Sequence, residues 1–513
     1  MRIVLPIARP VLATLGLLVF VGIWNNTLAA FAVLRESEVQ LVTQALGYLA
    51  GNTGENGALL LGRAISSLPP LIVFALCASQ LAPGLGLGGS STNQTWFSSL
   101  SKRLKTAWKA SSIPDLKSLR GADGIRAIAC LLVILHHLAQ RLDMNAQSQP
   151  VRDIQAFLMQ GNTGVSALFV LSGLLLSLPF WRRYLEQKSF PDLLEYTRRR
   201  AVRIVPGFYF SLLVSFLLTL AFVPDVEKPW MRLIGGLSFT SALNYVTLFP
   251  VELNGPLWSI GFEVICYFLM PLGMYALFKL FPARGFRFAF LFWIGLLALT
   301  LIVNQFITTE LVPDNANRGW DHGMVGGAKS WIPNYNVVGF FAEYALGVLA
   351  AGLLAERQRR NRDSSYAFDA LALVGFAGLI ALLWTGRSWG DFDGSFQGQP
   401  FRYPLFPLGV AFLLVTLPFS RVLGWVLDNR FFRYTAKISF GLYIWHCLIM
   451  ELIRLTHNAD YHCFGIRELP YLLALSGMTL TLAYITAGLS YRHVENPFLE
   501  TAPKSPRAPA SIQ

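Results

Sequence analysis

Two imidazoles, a carboxylate and a set of guanidinium groups stand inside or at the ends of apolar runs in this chain, with spacing that suits moving a proton and gripping a phosphate. In GADGIRAIACLLVILHH, residues 121–137, Arg126 and His137 are eleven residues apart. On a helix that is about three turns and about 16 Å of rise, so both side chains fall on nearly one face. That face carries a cation at one membrane edge and an imidazole near the bilayer middle. An ionisable group at such depth is costly and marks a functional candidate. His136 stands beside it and points about 100° away. For either imidazole the competing reading is a satisfied packing role.

In NGPLWSIGFEVICYFLMP, residues 254–271, Glu263 lies within an apolar run and Tyr267 follows one turn later, where its hydroxyl can donate to the carboxylate. A buried carboxylate without a partner takes up a proton, so a cationic or imidazole partner is expected; a purely structural buried pair is the alternative. RRRAVRIVPGFY sets Arg198, Arg199, Arg200 and Arg203 at the mouth of a helix, with Pro206 early in it. Guanidinium groups suit bidentate phosphate recognition, although anchoring by charge alone also accounts for such clusters. SFGLYIWH places His446 about two turns into another apolar run, where pairing within the bundle is the plainer role.

The elements that must hold these groups are membrane helices. Of the 513 residues 54% are apolar and 14% charged, against about 25% charged in an ordinary soluble chain. A hydrocarbon core of about 30 Å needs about 20 apolar residues per crossing, and the chain supplies such runs from Val11 to Leu489. Two come first, near 11–34 and 58–81, followed by a Gly/Ser-rich basic linker over 89–118. Ten more begin near Ala127, Gly164, Val202, Leu257, Phe288, Val337, Leu371, Pro404, Ile438 and Tyr471. The segment from Trp230 to Phe249 reads as re-entrant, because a further crossing would invert every later loop. The fold class expected is therefore all-α, a polytopic bundle of ten helices plus two.

The net charge of +13 lies in short clusters between apolar runs, which is loop patterning rather than a nucleic-acid footprint. With the start of the chain in the cytoplasm, the inside segments hold 30 of the 42 lysines and arginines. That bias favours twelve crossings with both termini cytoplasmic, and residues 499–513 read as a disordered cytoplasmic tail. The five cysteines show no metal-ligand spacing and read as small packing residues, so no metal is expected.

These stretches occur in a familiar order. From about 119 to 498 the chain resembles the acyltransferase 3 family of membrane acyltransferases, through DGIRAIACLLVILHH, GVSALFVLSGLLL, RRAVRIVP, LWSIGFEVICYFLMP, FFAEYALGVLA, ISFGLYIWH and YRHVENPF. The resemblance places the family's Arg and His pair on Arg126 and His137, and its Trp-Ser and Glu signature on Trp258, Ser259 and Glu263. It departs at Ser166, where many members carry an acidic residue. It implies a ten-helix fold that uses cytoplasmic acyl-CoA to modify hydroxyls of envelope glycans or other acceptors. Residues 2–88 resemble the last two helices of a binding-protein-dependent ABC sugar-transport permease, read here as a fused remnant or packing appendage.

Under that resemblance the acceptor hydroxyl loses its proton to neutral His137, and Glu263 orients the imidazole; their helices must then be neighbours. Arg126, Arg200 and Arg203 hold the phosphates of acyl-CoA, with acetyl-CoA the expected donor, while Trp258, Ser259, Tyr267 and His446 support the site. An acyl-imidazole intermediate is the other route. No extracytoplasmic esterase-like domain is expected after the last helix, so the membrane domain acts alone or with a separate extracytoplasmic partner, in contact with membrane lipid and in a bacterial inner membrane. The rival class is a transporter or flippase of a sugar-like substrate, with His and Glu as a proton relay.

Overall fold

The computed structural model describes residues 119–501, except 283, 361–362, 391 and 458–464. The chain divides between Asp115 and Leu116, and only the second unit is described. The two N-terminal spans and the basic linker lie outside the described residues. Residues 499–501 complete a short helix, Asn496–Thr501, and the rest of the expected tail lies outside the described residues.

All ten expected spans of the second unit are helices. In chain order, with two of the shorter helices between them, they are α1 (Ala122–Ala139), α2 (Gln149–Met159, short), α3 (Gly164–Leu185), α4 (Leu193–Phe222), α5 (Pro229–Leu237, short), α6 (Trp258–Leu280), α7 (Phe286–Glu310), α8 (Val337–Arg359), α9 (Tyr366–Thr385), α10 (Leu405–Thr416), α11 (Arg430–His457) and α12 (Leu469–Ser490). Among the described residues nine spans are long and apolar enough to cross a membrane, and there is no strand. The tenth, α10, has 12 residues, which rise only about 18 Å against a core of about 30 Å. The fold is a polytopic all-α membrane bundle.

The stretch 230–249 does not form a crossing. It folds as α5, a single 3-10 turn at Ser241–Leu243 and a four-residue helix, Tyr245–Leu248. Buried Arg232 closes this hairpin by donating to the Phe249 carbonyl at 2.7 Å and to Glu252 at 2.5 Å.

Local chemistry starts the helices. Asp192 caps α4 by accepting from Leu194 N at 2.8 Å, and Asn336 caps α8 by accepting from Val338 N and Gly339 N, each at 2.9 Å. Gly121 precedes α1 with φ +82°, a left-handed conformation that favours glycine, and its N–H donates to Asp428 at 3.2 Å. At the bundle centre α3 and α8 meet backbone to backbone. A Cβ on Gly347 would stand 2.0 Å from the Val170 carbonyl oxygen, and one on Gly173 would stand 2.2 Å from that of Tyr344. Small residues at both crossings allow this approach, which lipid-facing helices cannot obtain from hydrophobic burial alone.

Candidate active site

Arg126 stands in the second turn of α1, half-buried, with an ion pair to Asp123 at 3.8 Å. The charges of Arg203 and Arg200 bear on it, as does the Tyr267 phenol. The three arginines singled out for phosphate therefore lie close enough for their charges to interact, at one end of the bundle, the basic end. Arg199 pairs with Glu195 one turn earlier on its own helix, and Arg198 is exposed. Tyr196 fastens α4 to α6 by donating to the Tyr267 carbonyl at 3.1 Å. An open cavity of about 660 Å³ lies near the start of α1, lined by Arg120, Gln358, Trp425, Asp428 and Arg433 among others.

On α6 the residues Ser259, Glu263 and Tyr267 recur every four positions and form one stripe. Tyr267 donates to Glu263 Oε1 at 2.5 Å, as expected from their spacing, and Ser172 of α3 donates to the same oxygen at 2.8 Å. The expected contact between Glu263 and His137 is not made: the two share no hydrogen bond or ion pair. Tyr443 of α11 stands near both groups. Its hydroxyl is 2.7 Å from Ser259 Oγ, it feels the charge of Glu263, and its ring centroid is 6.1 Å from that of His446. Trp258 is buried among Tyr335, Trp331, Phe340 and Phe262, with centroids 5.2–5.6 Å away, and packs the far end of the stripe.

The imidazoles do gather. His137 lies in the last turn of α1 rather than near the bilayer middle, because that helix stops at Ala139. Its ring centroid is 5.3 Å from that of His446, and its Nδ1 is 3.0 Å from Gln140 Oε1. His136 is tied off separately, its Nδ1 donating to the Met159 carbonyl at 2.5 Å, which suits the packing role. His446 is fully buried, and its Nδ1 is 3.0 Å from the Leu442 carbonyl. A carbonyl only accepts, so Nδ1 carries the proton and Nε2 keeps a lone pair. That Nε2 has no hydrogen-bond partner.

Several contributors were not singled out in the sequence. Gln140 and Ser172 have no motif to announce them. Asn254 had one, standing at the head of the Trp-Ser-Glu stretch: buried, it donates to Ser215 Oγ at 3.0 Å and to the Ile444 carbonyl at 2.8 Å, pinning α11 two residues before His446. Cys447, read as packing, has its sulfur with the His137 and His446 ring nitrogens, all within 4.8 Å of one another. Buried Glu343 of α8 stands beside Ser166, so a carboxylate does reach the neighbourhood of that departure, from a facing helix.

This arrangement can bind an anion at the basic end and accept a proton at a neutral imidazole farther along α1. An acyltransferase domain model matches residues 119–488. The chain is 27% identical over 406 residues to the O-acetyltransferase OatA of Staphylococcus aureus strain NCTC 8325 / PS 47, covering 77% of this chain and 58% of that protein. OatA of strains COL and MRSA252 gives the same figures. The chain thus spans 58% of the length of these curated relatives. No solved structure matches. With the family model covering well over half of its length, this chain belongs to the acyltransferase 3 family of membrane acyltransferases.

Proposed function

We propose that the protein is an O-acyltransferase that moves an acetyl group from cytoplasmic acetyl-CoA to a hydroxyl of a cell-envelope or exported glycan, in a bacterial inner membrane with both termini inside. The observation that carries this reading is the arrangement along α1: Arg126 meets Arg200 and Arg203 at one end, and His137 meets His446 about 16 Å farther on. The arginines suit the diphosphate and ribose phosphate of the donor. The pantetheine arm then runs inward along α1. Relatives named as O-acetyltransferases favour acetyl as the group moved.

In the reaction, His137 Nε2 takes the proton of the acceptor hydroxyl as its oxygen attacks the thioester carbonyl. The tetrahedral species expels the thiolate of coenzyme A, which takes the proton from the imidazolium, so an ester and a free thiol leave. Gln140, rather than Glu263, holds His137 Nδ1. Glu263 is held by Tyr267 and Ser172 and serves to fix α6 against α3 beside the arginine mouth, and Tyr443 with Ser259 bridges the two halves of the site. Deleting the gene and weighing the surface glycans tests the assignment. Loss of an acetyl increment, restored by the intact gene, is expected. Unchanged glycan masses together with altered glycan export would replace the enzyme with a carrier.

A further inference from the structure

Acyl transfer gives Cys447 no task, yet its sulfur lies with two imidazoles in the bundle interior. Two of the three donors are poised to coordinate. The His446 Nε2 lone pair is fully buried without a partner, and His137, whose Nδ1 is occupied by Gln140, brings a ring nitrogen within 4.8 Å of the other two donors. Two neutral imidazoles and a thiol form a borderline-soft donor set of the type that selects zinc over magnesium or calcium. The ligand atoms lie within 4.8 Å of one another, whereas tetrahedral zinc, with bonds of about 2.0 Å to nitrogen and about 2.3 Å to sulfur, needs them about 3.3–3.6 Å apart. Contraction of about 1 Å through side-chain torsions closes the gap.

We propose that His137, His446 and Cys447 form an inhibitory site for Zn²⁺, with the fourth position open to water. Coordination releases the thiol proton to solvent and occupies the lone pair by which His137 would take the acceptor's proton. The metal and the acceptor hydroxyl therefore compete for one nitrogen. The inhibition rests on the acyl-transfer reading; the binding does not.

Two measurements on the full chain in lipid nanodiscs separate these. Co²⁺, added as a spectroscopic probe for zinc, is expected to give thiolate charge-transfer absorption in the wild type, displaced by Zn²⁺ and absent in Cys447→Ala. Zn²⁺ is expected to inhibit acetyl transfer, and Cys447→Ala, with basal transfer unchanged, to need about tenfold or more zinc for the same inhibition. No cobalt–thiolate band in the wild type overturns the site. Equal zinc sensitivity in wild type and Cys447→Ala overturns its regulatory role. Should the chain transfer no acyl group at all, the cobalt spectrum still decides whether the metal binds, and only the functional reading falls.

Discussion

His137 and His446 hold their Nδ1 atoms by different means, one against a side-chain amide and the other against a backbone carbonyl of its own helix, and both leave Nε2 out of these bonds. The Gln140 contact is replaceable in a way the carbonyl is not. Gln140→Ala should leave the His137 ring free to turn, a neutral hydrogen bond of about 1 kcal/mol, so kcat falls about fivefold while KM for acetyl-CoA stays unchanged. Steady-state kinetics in nanodiscs would check it; a rise in KM with kcat intact would assign Gln140 to donor binding. At this scale the sequence was informative wherever partners shared a helix. Arg126 and His137, or Glu263 and Tyr267, follow from helical periodicity alone. The link from Glu263 to His137 did not, because it depends on how two helices pack, and there Glu263 is held by Tyr267 and Ser172 while His137 is held by Gln140. Cys447 was passed over for the same reason, since its partner His137 is 310 positions away.

Among the helices, α3 and α8 act as the frame against which α1 and α6 are set. Their contact is carbonyl to glycine, with no side chain to yield, so Gly347→Ala forces a shift at a position where an added Cβ would stand 2.0 Å from the Val170 oxygen. Overpacking of this kind costs about 1–3 kcal/mol. Thermal unfolding in detergent should register the loss, with transfer activity falling alongside it because Ser172, the donor to Glu263, rides on α3. Unchanged melting would mean that the helices separate freely and that the frame is not set there. The existence of all ten helices was legible, since runs of apolar residues bounded by charge have few other solutions in a membrane. Their lengths were less so. The shortness of α10 and the end of α1 just past His137 are decided by tertiary packing and by the turn into α2, which composition does not encode.

Considered whole, the second unit gathers its arginines at one end and its imidazoles deeper in the bundle, joined by one face of α1 and by the chain of Glu263, Ser259 and Tyr443. This polarity suits a donor that enters at the charged end and an acceptor that meets its thioester farther in. It also places the two requirements of the reaction, anion binding and proton removal, on residues that substitution can separate. The measurement that tests this most directly is transfer of radiolabel from acetyl-CoA to a glycan extract of gene-deleted cells, by the full chain in nanodiscs, with wild type beside His137→Gln. The account predicts labelled glycan from the wild type and a loss of about 100- to 10,000-fold in the variant, with its thermal unfolding preserved. A folded His137→Gln protein that labels glycan as fast as the wild type would contradict it.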